Sequence, residues 1–477
     1  MKSVPGSTNH KPGSSDLLHT GGAYEANLRL ARLGTLPFFV IAAIVVALWA
    51  WRCMGWPAAT AGTLAFTLLP PVLAHAGLAT LDMAMAAFVG AALLAFQCWI
   101  EKPSVARGCW LGLFTALAMM SKFSAIVFLL AGFAFLLAGS LMAKHTPVFR
   151  LRSLASLLAA GAAWALTIWA VYRFSLGPLL APENHLEGRF DALLASSGSA
   201  RGFLQWMLSS FPIPAMDFFW GLYDVFAFRE GEGHLAYFLG QISKTGWWYF
   251  YPVLVLVKTP LPFLILVGLG VSLAWRRRRN DILYAPVLAI LAILLAGIVA
   301  TPNNGLRQVL PVYPLLSVMA GCGVAGLLEA SWRPLVRAGL PALLVIWLAA
   351  ISFHAHPDYL AYFNALAGSR PELVAVDSDL DWGQDLKRLN TACQRRGIRL
   401  LHIKYNGSND IDLARFGLPE LRELKPGEKT TGWVAISALP LALGTGVPPY
   451  KQYAWLREQE PVERIGSSIF LYWIPEP

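Results

Sequence analysis

The apolar residues of the chain fall into long runs that recur through most of the sequence and then stop. Uninterrupted runs of about 17 to 25 residues, enough to cross a bilayer as a helix, begin near Leu33 and end near Phe353. We predict about ten spanning helices from this pattern, at residues 33–51, 57–77, 84–100, 106–120, 123–143, 153–173, 250–273, 283–300, 307–328 and 335–353.

The chain from His354 to Pro477 has the mixed pattern of a globular domain. Short apolar runs at residues 373–376, 400–405, 433–436 and 468–473 predict strands, and residues 381–396 predict a helix. The expected fold class is an all-α polytopic membrane protein with a small C-terminal α/β domain at residues 354–477. Residues 1–32 are polar, carry no signal sequence and are predicted to be disordered.

Basic residues in alternate loops predict the orientation, because such loops stay on the cytoplasmic side. The Arg276–Arg279 run gives the strongest signal, and every second loop agrees with it. An even number of spans then places both termini outside, although the N-terminal segment is basic. Either one helix is missing from the front or the count of spans is off by one, and we expect the missing helix. The segments left outside are the C-terminal domain and the loops His75–Asp82, Ser121–Lys122, Phe174–Tyr249 and Thr301–Gln308.

Composition narrows the class of protein. A hydrophobic content of 56%, a charged content of 14% and a mean hydropathy of +0.53 exclude an ordinary soluble protein. The net charge of +10 comes from Lys and Arg at the ends of apolar runs, where they face lipid headgroups, so nucleic acid is not an expected partner. The five cysteines show no paired spacing. We expect a multi-pass protein of the cytoplasmic (inner) membrane.

Charged residues near the predicted outer ends of the spans are the sharpest clues to chemistry, because they are costly there unless paired or solvated. Asp82 suits a carboxylate that lines a cavity, or a helix N-cap. Lys122 suits a contact to a lipid-linked phosphate, or a side chain that snorkels to the interface. Lys258 and Arg307 are further candidates for phosphate binding.

Four carboxylates stand close together at the start of the C-terminal domain, at Asp377, Asp379, Asp381 and Asp385. They suit a bound cation or a polar acceptor, and helix capping explains at least two of them. A divalent cation is therefore a possible cofactor, and none is certain. The aromatic segment at Trp247 and Trp248 suits the headgroup interface, as a rim over a lipid-facing cavity.

Several stretches resemble bacterial family 39 glycosyltransferases, relatives of the dolichyl-phosphate-mannose protein mannosyltransferases. The similarity covers about residue 28 to the end, in the same order and with similar spacing. It is carried by Leu73–His75 with Thr80–Asp82, Ser121–Ser124, Gly246–Tyr249, Lys258–Pro260, Arg307–Pro314, Tyr359–Asn364, Asp377–Leu386, Trp433–Ser437 and Arg464–Phe470.

The resemblance implies a GT-C fold, an active site near the outer face, and a polyprenyl-phosphate sugar as donor. The sugar would pass with inversion to an extracytoplasmic protein, lipid or glycan acceptor. Asp82 is the expected catalytic residue. The expected substrate-binding residues are His75, Lys122, Trp247, Trp248, Lys258, Arg307, Asp377, Asp381, Trp382, Gln384 and Asp385.

One departure from the family concerns the front of the chain. Relatives open with a spanning helix and an outer loop that bears the presumed catalytic base, and this sequence begins to match after that loop. Asp16 and Glu25, the acids ahead of the first span, do not stand in the family's motif. A non-catalytic protein that binds polyprenyl phosphate or a partner is therefore the alternative, and a transporter is a weaker one because no internal repeat is visible.

Overall fold

A computed structural model describes residues 23–143, 151–178, 209–227, 235–277, 281–299, 303–405, 413–446 and 450–476, with residues 18, 206 and 448. The chain divides into two compact units, Met1–Ala87 with His234–Pro477, and Phe88–Gly233. Lys144, Arg150, Arg278, Arg279 and most of the predicted polar N-terminal segment lie outside the described residues, as does much of the predicted outer loop at 174–249.

Helices make up most of the described chain, and the protein is polytopic with a small C-terminal α/β domain. Within the described ranges, seven helices are long and apolar enough to cross a membrane, or up to eight if a bent pair counts as one span. The helices before the C-terminal domain are α1 (Tyr24–Leu33), α2 (Leu36–Thr67), α3 (Pro70–Ala76), α4 (Asp82–Glu101), α5 (Val105–Ser121), α6 (Ala125–Met142), α7 (Leu151–Val171), α8 (Met216–Ala227), α9 (Phe250–Lys258), α10 (Leu261–Arg276), α11 (Asp281–Val299), α12 (Val312–Glu329) and α13 (Pro334–Ala355).

Helix α2 folds back on itself, although its residues are helical almost throughout. Met54 and Gly55 leave the helical region, and Gly55 has a φ of +72°, a conformation that glycine adopts without a steric cost. Phe39 and Phe66 stack with centroids 5.6 Å apart, which a straight helix does not allow. The two halves correspond to the predicted spans 33–51 and 57–77. The predicted total of about ten spans counts these halves separately and includes α5, which has 17 residues.

The predicted span 250–273 is not a straight helix. It is the bent pair α9 and α10, whose axes differ in direction by 117°. Thr259 and Pro260 form the break, since proline lacks an N–H to continue the ladder and disfavours a helical conformation in the residue before it. The bend leaves the last carbonyl groups of α9 without partners within the helix.

Helix α12 is the central helix of the first unit, with almost all of its residues buried. Small residues let two neighbouring helices approach it closely. A Cβ added to Gly321 would lie 2.2 Å from the Ala58 carbonyl oxygen of α2. A Cβ added to Gly323 would lie 2.2 Å from the Leu266 carbonyl oxygen of α10. Glycine at these positions therefore sets the spacing of three helices.

The second unit packs its helices by the same device. Gly108 and Gly112 of α5 face α7, where an added Cβ would lie 2.1 Å and 2.0 Å from the carbonyl oxygens of Ser156 and Ala160. The Trp99 indole donates a hydrogen bond to the Ser156 hydroxyl at 2.9 Å.

Two small antiparallel strand pairs also occur. Strand β1 (Leu176–Pro178) pairs with β2 (Pro212–Pro214) in the second unit, and β3 (Ala236–Phe238) pairs with β4 (Gln241–Ser243) in the first unit.

The C-terminal domain is built on a five-stranded mixed sheet with the order β6-β5-β7-β9-β8. Strand β5 pairs in parallel with β6 and β7, while β9 pairs antiparallel with β7 and β8. Its elements are α14 (Leu386–Arg395), β5 (Leu400–Lys404), β6 (Glu420–Glu423), β7 (Gly432–Ser437), α15 (Ala438–Leu443), β8 (Glu463–Ile465) and β9 (Ile469–Ile474).

The prediction of strands near 400–405, 433–436 and 468–473 is confirmed by β5, β7 and β9. The prediction of a strand at 373–376 is wrong, because Pro371–Leu373 is a 3-10 turn and Ala375 makes one isolated bridge to Phe238. The two edge strands β6 and β8 were not predicted, since they are short and polar. Buried apolar residues cover both faces of the sheet, with α14 on one face and α15 on the other.

Helix α1 contacts the C-terminal domain. Lys387 lies 2.7 Å from Glu25, and the Arg415 guanidinium lies 5.3 Å from the centre of the Tyr24 ring. Helix α1 leads into α2, and α13 leads into the C-terminal domain, so this domain lies at the end of the helices where α2 begins and α13 ends.

Candidate functional site

Two short 3-10 turns meet at that end of the helices, Leu306–Val309 before α12 and Asp377–Asp379 in the C-terminal domain. The Leu306 N–H donates to Asp379 Oδ1 at 2.9 Å. Gly305 has a φ of +78°, and a Cβ there would lie 3.1 Å from Asp379 Oδ2, so glycine is required for this approach. The acidic stretch of the C-terminal domain is thereby fixed against the loop before α12.

Lys258 is buried beneath these turns and holds them to the end of α9. Its Nζ donates to the carbonyl oxygens of Leu360 and Asp379, at 2.5 Å and 2.7 Å, and lies 4.2 Å from the centre of the Phe363 ring. The side chain is 2% exposed. Because these contacts join α9 to the two turns, we propose a structural role for Lys258 in place of the predicted phosphate contact, which stays untested.

Asn364 completes the bend between α9 and α10. Its Nδ2 donates to the carbonyl oxygens of Leu256 and Thr259, each at 2.7 Å, and its backbone N–H donates to Val257 at 2.8 Å. These are carbonyl groups that the break in the helix leaves free. Asn364 was not among the predicted site residues, although it ends the Tyr359–Asn364 stretch that resembles the family.

Asp379 is a buried carboxylate at the centre of this arrangement. Burial raises the pKa of its carboxyl group, and the nearby Lys258 ammonium and the Leu306 N–H act in the opposite direction. The side chain is enclosed on all sides, so its contacts connect the C-terminal domain with the helices rather than with a ligand.

Arg307 and Trp382 form the pair best placed to meet a ligand. The Arg307 guanidinium lies 5.2 Å from the centre of the Trp382 ring, and its Nε donates to the Asn304 carbonyl oxygen at 3.3 Å. The Trp382 indole is held by a bond from its Nε1 to the Ser378 carbonyl oxygen at 3.1 Å. Both residues are partly exposed, and no ion pair joins Arg307 to any described residue.

Asp381 precedes Trp382 in the chain. One of its carboxylate oxygens accepts hydrogen bonds, and the other accepts none from the described residues. Its Oδ1 accepts from the Gly383 N–H at 2.9 Å and from the Tyr405 hydroxyl at 3.2 Å. Its Oδ2 is buried and has no hydrogen-bond partner among the described residues. Burial raises the pKa of Asp381 to about 6, and the Asp385 carboxylate adds to the rise.

The stability of the protein is expected to depend on this carboxyl group between about pH 4 and pH 6. An acid whose pKa is raised by folding leaves stability unaffected below its unfolded pKa, and stability is lost as the pH rises from that value through the folded pKa and then stays lower. Asp381→Asn should therefore stabilise the protein by on the order of 1–2 kcal/mol at pH 7 and have little effect near pH 4. Thermal unfolding at both pH values measures this difference. An equal effect at both values would contradict it, and the exposed Glu428→Gln is the control.

Asp385 is fully buried and is bound from several sides. Its Oδ2 accepts from the backbone N–H groups of Ser467 and Ser468 at 3.0 Å each, and from the Ser468 hydroxyl at 2.8 Å. Its Oδ1 accepts from Arg388 at 2.8 Å. A Cβ on Gly466 would lie 2.0 Å from Asp385 Oδ1. These bonds join Asp385 to the loop before β9, and we propose this anchoring role in place of the predicted substrate contact, which stays untested.

Asp82 and His75 lie on either side of the turn between α3 and α4. Helix α4 begins at Asp82, and both side chains are almost fully buried, at 3% and 2% exposed. On the other loops, Trp247 donates its backbone N–H to Asn303 at 2.7 Å, and Trp248 is 69% exposed, as a residue at a headgroup interface would be.

The remaining predicted site residues are Gln384, Asp377 and Lys122. Gln384 shapes its own loop, donating to the Leu380 carbonyl oxygen and accepting from the Trp382 N–H, each at 2.7 Å. Asp377 adopts a φ of +62°, which is unusual for a residue other than glycine. Lys122 ends α5 in the other compact unit.

Within the described ranges, no group of three or more His, Cys, Asp or Glu residues is arranged to hold a metal ion.

A cavity of about 630 Å³ opens where α13 ends. Trp347, Ile351 and Leu261 supply apolar walls, and His354 and Asp358 supply polar groups nearer the C-terminal domain. Asp358 is held by two bonds from Arg388, at 2.7 Å and 3.1 Å. The lining therefore changes from apolar to polar along α13, as suits an amphipathic ligand.

No protein-family model and no curated protein matches this sequence. Among solved structures, ArnT from Cupriavidus metallidurans in the apo state has a TM-score of 0.46 and 13% identity, covering 95% of this chain and 85% of that chain. The same protein bound to undecaprenyl phosphate has a TM-score of 0.41 and 14% identity, with the same coverage. The Archaeoglobus fulgidus oligosaccharyltransferase tethered with an acceptor peptide has a TM-score of 0.45 and 13% identity, covering 88% of this chain and 52% of that chain. All three TM-scores lie below 0.5.

Proposed function

We propose that the protein is a membrane glycosyltransferase that moves a sugar from a polyprenyl-phosphate donor to an extracytoplasmic acceptor. In the reaction, an acceptor oxygen attacks the anomeric carbon, and the bond from that carbon to the phosphate oxygen breaks. The acceptor proton passes to a carboxylate, and the phosphate leaves with an additional negative charge. The reaction therefore needs a cation that binds phosphate and a carboxylate that accepts a proton.

The Arg307–Trp382 pair is the observation that carries this proposal. A guanidinium group presents N–H donors in a fork that matches two phosphate oxygens. Arg307 is positioned by its Nε bond to Asn304 and by the Trp382 ring, while its terminal nitrogens keep their hydrogen-bonding capacity. The Trp382 ring offers an apolar face of the kind that lines ligand sites. Lys122 remains predicted from the sequence as a phosphate contact.

The cavity at the end of α13 supports a lipid-linked donor. Its volume of about 630 Å³ falls within the range of ligand pockets, and its apolar end is lined by residues of α13, a helix with exposed apolar side chains such as Ile346 and Phe353. We propose that part of the polyprenyl chain enters from the lipid along this wall.

Asp82 is the proposed catalytic carboxylate. It begins α4, beside His75, in the segment that resembles the Thr80–Asp82 motif of the family. Asp381 is the second carboxylate of interest, because its pKa of about 6 suits proton exchange near neutral pH. In the present arrangement its unpartnered Oδ2 is buried, so we assign Asp381 to binding the polar acceptor through movement of the Asp381–Gln384 loop.

A transfer assay tests the proposal directly. Purified protein in detergent is given a radiolabelled polyprenyl-phosphate hexose with membrane extract as the source of acceptor. We expect the parent chain to transfer label, Asp82→Asn to lose most of the activity, and Arg307→Ala to lower the affinity for donor by at least about tenfold. Arg422→Ala, at an exposed site on β6, is the matched control. If neither variant changes the transfer rate, the assigned site is wrong.

The burial of the carboxylates favours a second candidate function. Asp379 and Asp385 are enclosed and hydrogen-bonded, and Asp82 is almost fully buried. A protein that binds polyprenyl phosphate without transferring the sugar would keep Arg307 and need no accessible base. In that case the parent chain would bind the labelled donor, Arg307→Ala would weaken the binding, and no label would reach an acceptor.

A further inference from the structure

A small cavity on the C-terminal domain is surrounded by arginines and lies apart from the Arg307–Trp382 pair. It has a volume of about 50 Å³, and the three arginines in its wall are Arg370, Arg457 and Arg464. Glu372 is the one carboxylate in the wall. Three guanidinium groups against one carboxylate leave two positive charges in excess around a space that fits one small ion.

The guanidinium groups are held in place by contacts that use few of their donors. Arg370 Nε and Arg464 Nη2 both donate to Glu372 Oε1, at 3.1 Å and 3.3 Å. Arg457 Nη2 donates to the Leu441 carbonyl oxygen at 3.1 Å. Each arginine has five N–H donors, so most of them are not used by these bonds. Fixed donors lose little entropy when they bind a ligand, which favours binding.

A nearly buried tyrosine lines the same cavity. Tyr472 of β9 lines the wall and is 3% exposed, and no hydrogen bond joins its hydroxyl to any described residue. Burial raises the pKa of Tyr472 to about 12, so the hydroxyl is protonated at neutral pH and available as a donor. A hydroxyl that donates to a bound anion forms a charge-assisted hydrogen bond, which is stronger than one between neutral groups.

We propose that this arginine-lined cavity binds a single phosphoryl group, with Arg370, Arg457, Arg464 and the Tyr472 hydroxyl as its donors. The wall is rich in donors and has two positive charges in excess, which suits a doubly charged phosphate monoester better than a carboxylate. The volume admits the phosphoryl group itself and leaves any organic remainder outside the opening. The site does not depend on the proposed transfer reaction.

Two sources can supply this group, a lipid headgroup and free inorganic phosphate, and binding measurements distinguish them. The full chain is purified in a phosphate-free sugar detergent and titrated by calorimetry with inorganic phosphate and, separately, with a short-chain phosphatidic acid. Tyr472→Phe removes one hydroxyl and keeps the ring, and Arg457→Gln removes a cation that is bonded to a backbone carbonyl. The exposed Arg422→Gln, which removes an equal charge from the same domain, is the control.

We expect saturable binding by the parent chain, weakened about tenfold or more in Arg457→Gln and about threefold to tenfold in Tyr472→Phe, and unchanged in Arg422→Gln. Competition between the two ligands would identify the phosphoryl group as the feature that is recognised. Binding of the lipid alone would identify a headgroup site. The proposal is wrong if neither ligand binds the folded parent chain, or if Arg422→Gln weakens binding as much as Arg457→Gln. Failure of sugar transfer would leave these results unaffected.

Discussion

Lys258→Met is expected to lower the free energy of unfolding by about 3 kcal/mol or more. The substitution removes an ammonium group that donates to the carbonyl oxygens of Leu360 and Asp379, and it leaves those oxygens buried without that partner. It also leaves the buried Asp379 carboxyl group without its nearest cation. Breaking a buried charged arrangement by removing one member typically costs about 3–5 kcal/mol. Thermal or denaturant unfolding in detergent measures the loss.

Lys387→Met is the matched control for this experiment. Lys387 is 67% exposed and pairs with Glu25 on the surface, so its removal should cost less than about 1 kcal/mol. If Lys258→Met and Lys387→Met unfold at the same temperature, Lys258 does not have the structural role assigned to it. A stable Lys258→Met variant with weakened donor binding would instead restore Lys258 as a phosphate contact.

Gly321→Val is expected to destabilise the helical part by a similar amount, about 3 kcal/mol. A Cβ at this position would lie 2.2 Å from the Ala58 carbonyl oxygen and 2.9 Å from Gly62, and both neighbours are backbone atoms that cannot turn aside. Helix α2 would have to move away from α12, which opens the packing along the whole contact. The unfolding temperature in detergent should fall by several degrees, and the yield of monodisperse protein should fall with it.

Gly339→Val provides the comparison, because it makes the same chemical change in α13 where no atom lies within 4 Å of the added Cβ. Its effect should stay within about 1 kcal/mol, since glycine is itself a weak helix former. Equal unfolding temperatures for the two valine variants would show that the close contact between α2 and α12 is not what limits stability.

The architecture was largely predictable from hydrophobic periodicity. Long runs of apolar residues give the spans, and short apolar runs give the central strands β5, β7 and β9. A hydropathy profile shows where apolar segments lie but not how their helix axes are oriented. It therefore could not show that the axes of α9 and α10 differ by 117°. The turn at Gly55 was predicted only as a gap between spans, because its positive φ is a backbone property that a hydropathy profile does not carry.

The site was less predictable than the fold. The sequence shows that Lys258 is a charged residue inside an apolar run. In a sequence, a lysine that binds a ligand cannot be told from one that donates to backbone carbonyl oxygens, and only the bend between α9 and α10 shows which carbonyl groups are within its reach. The hydrogen bonds of Asp385 could not be predicted for the same reason, because the N–H groups of Ser467 and Ser468 that bind it are far away in the chain. The Arg370, Arg457 and Arg464 cluster was not predicted, since its members are brought together only by the folding of the sheet.

The contact of α1 with the C-terminal domain has a consequence for biogenesis. Glu25 precedes the long helices in the chain and Lys387 follows them, so their ion pair forms only after the helices between them have been synthesised. The pair therefore joins two segments that lie on opposite sides of the helical part in the sequence.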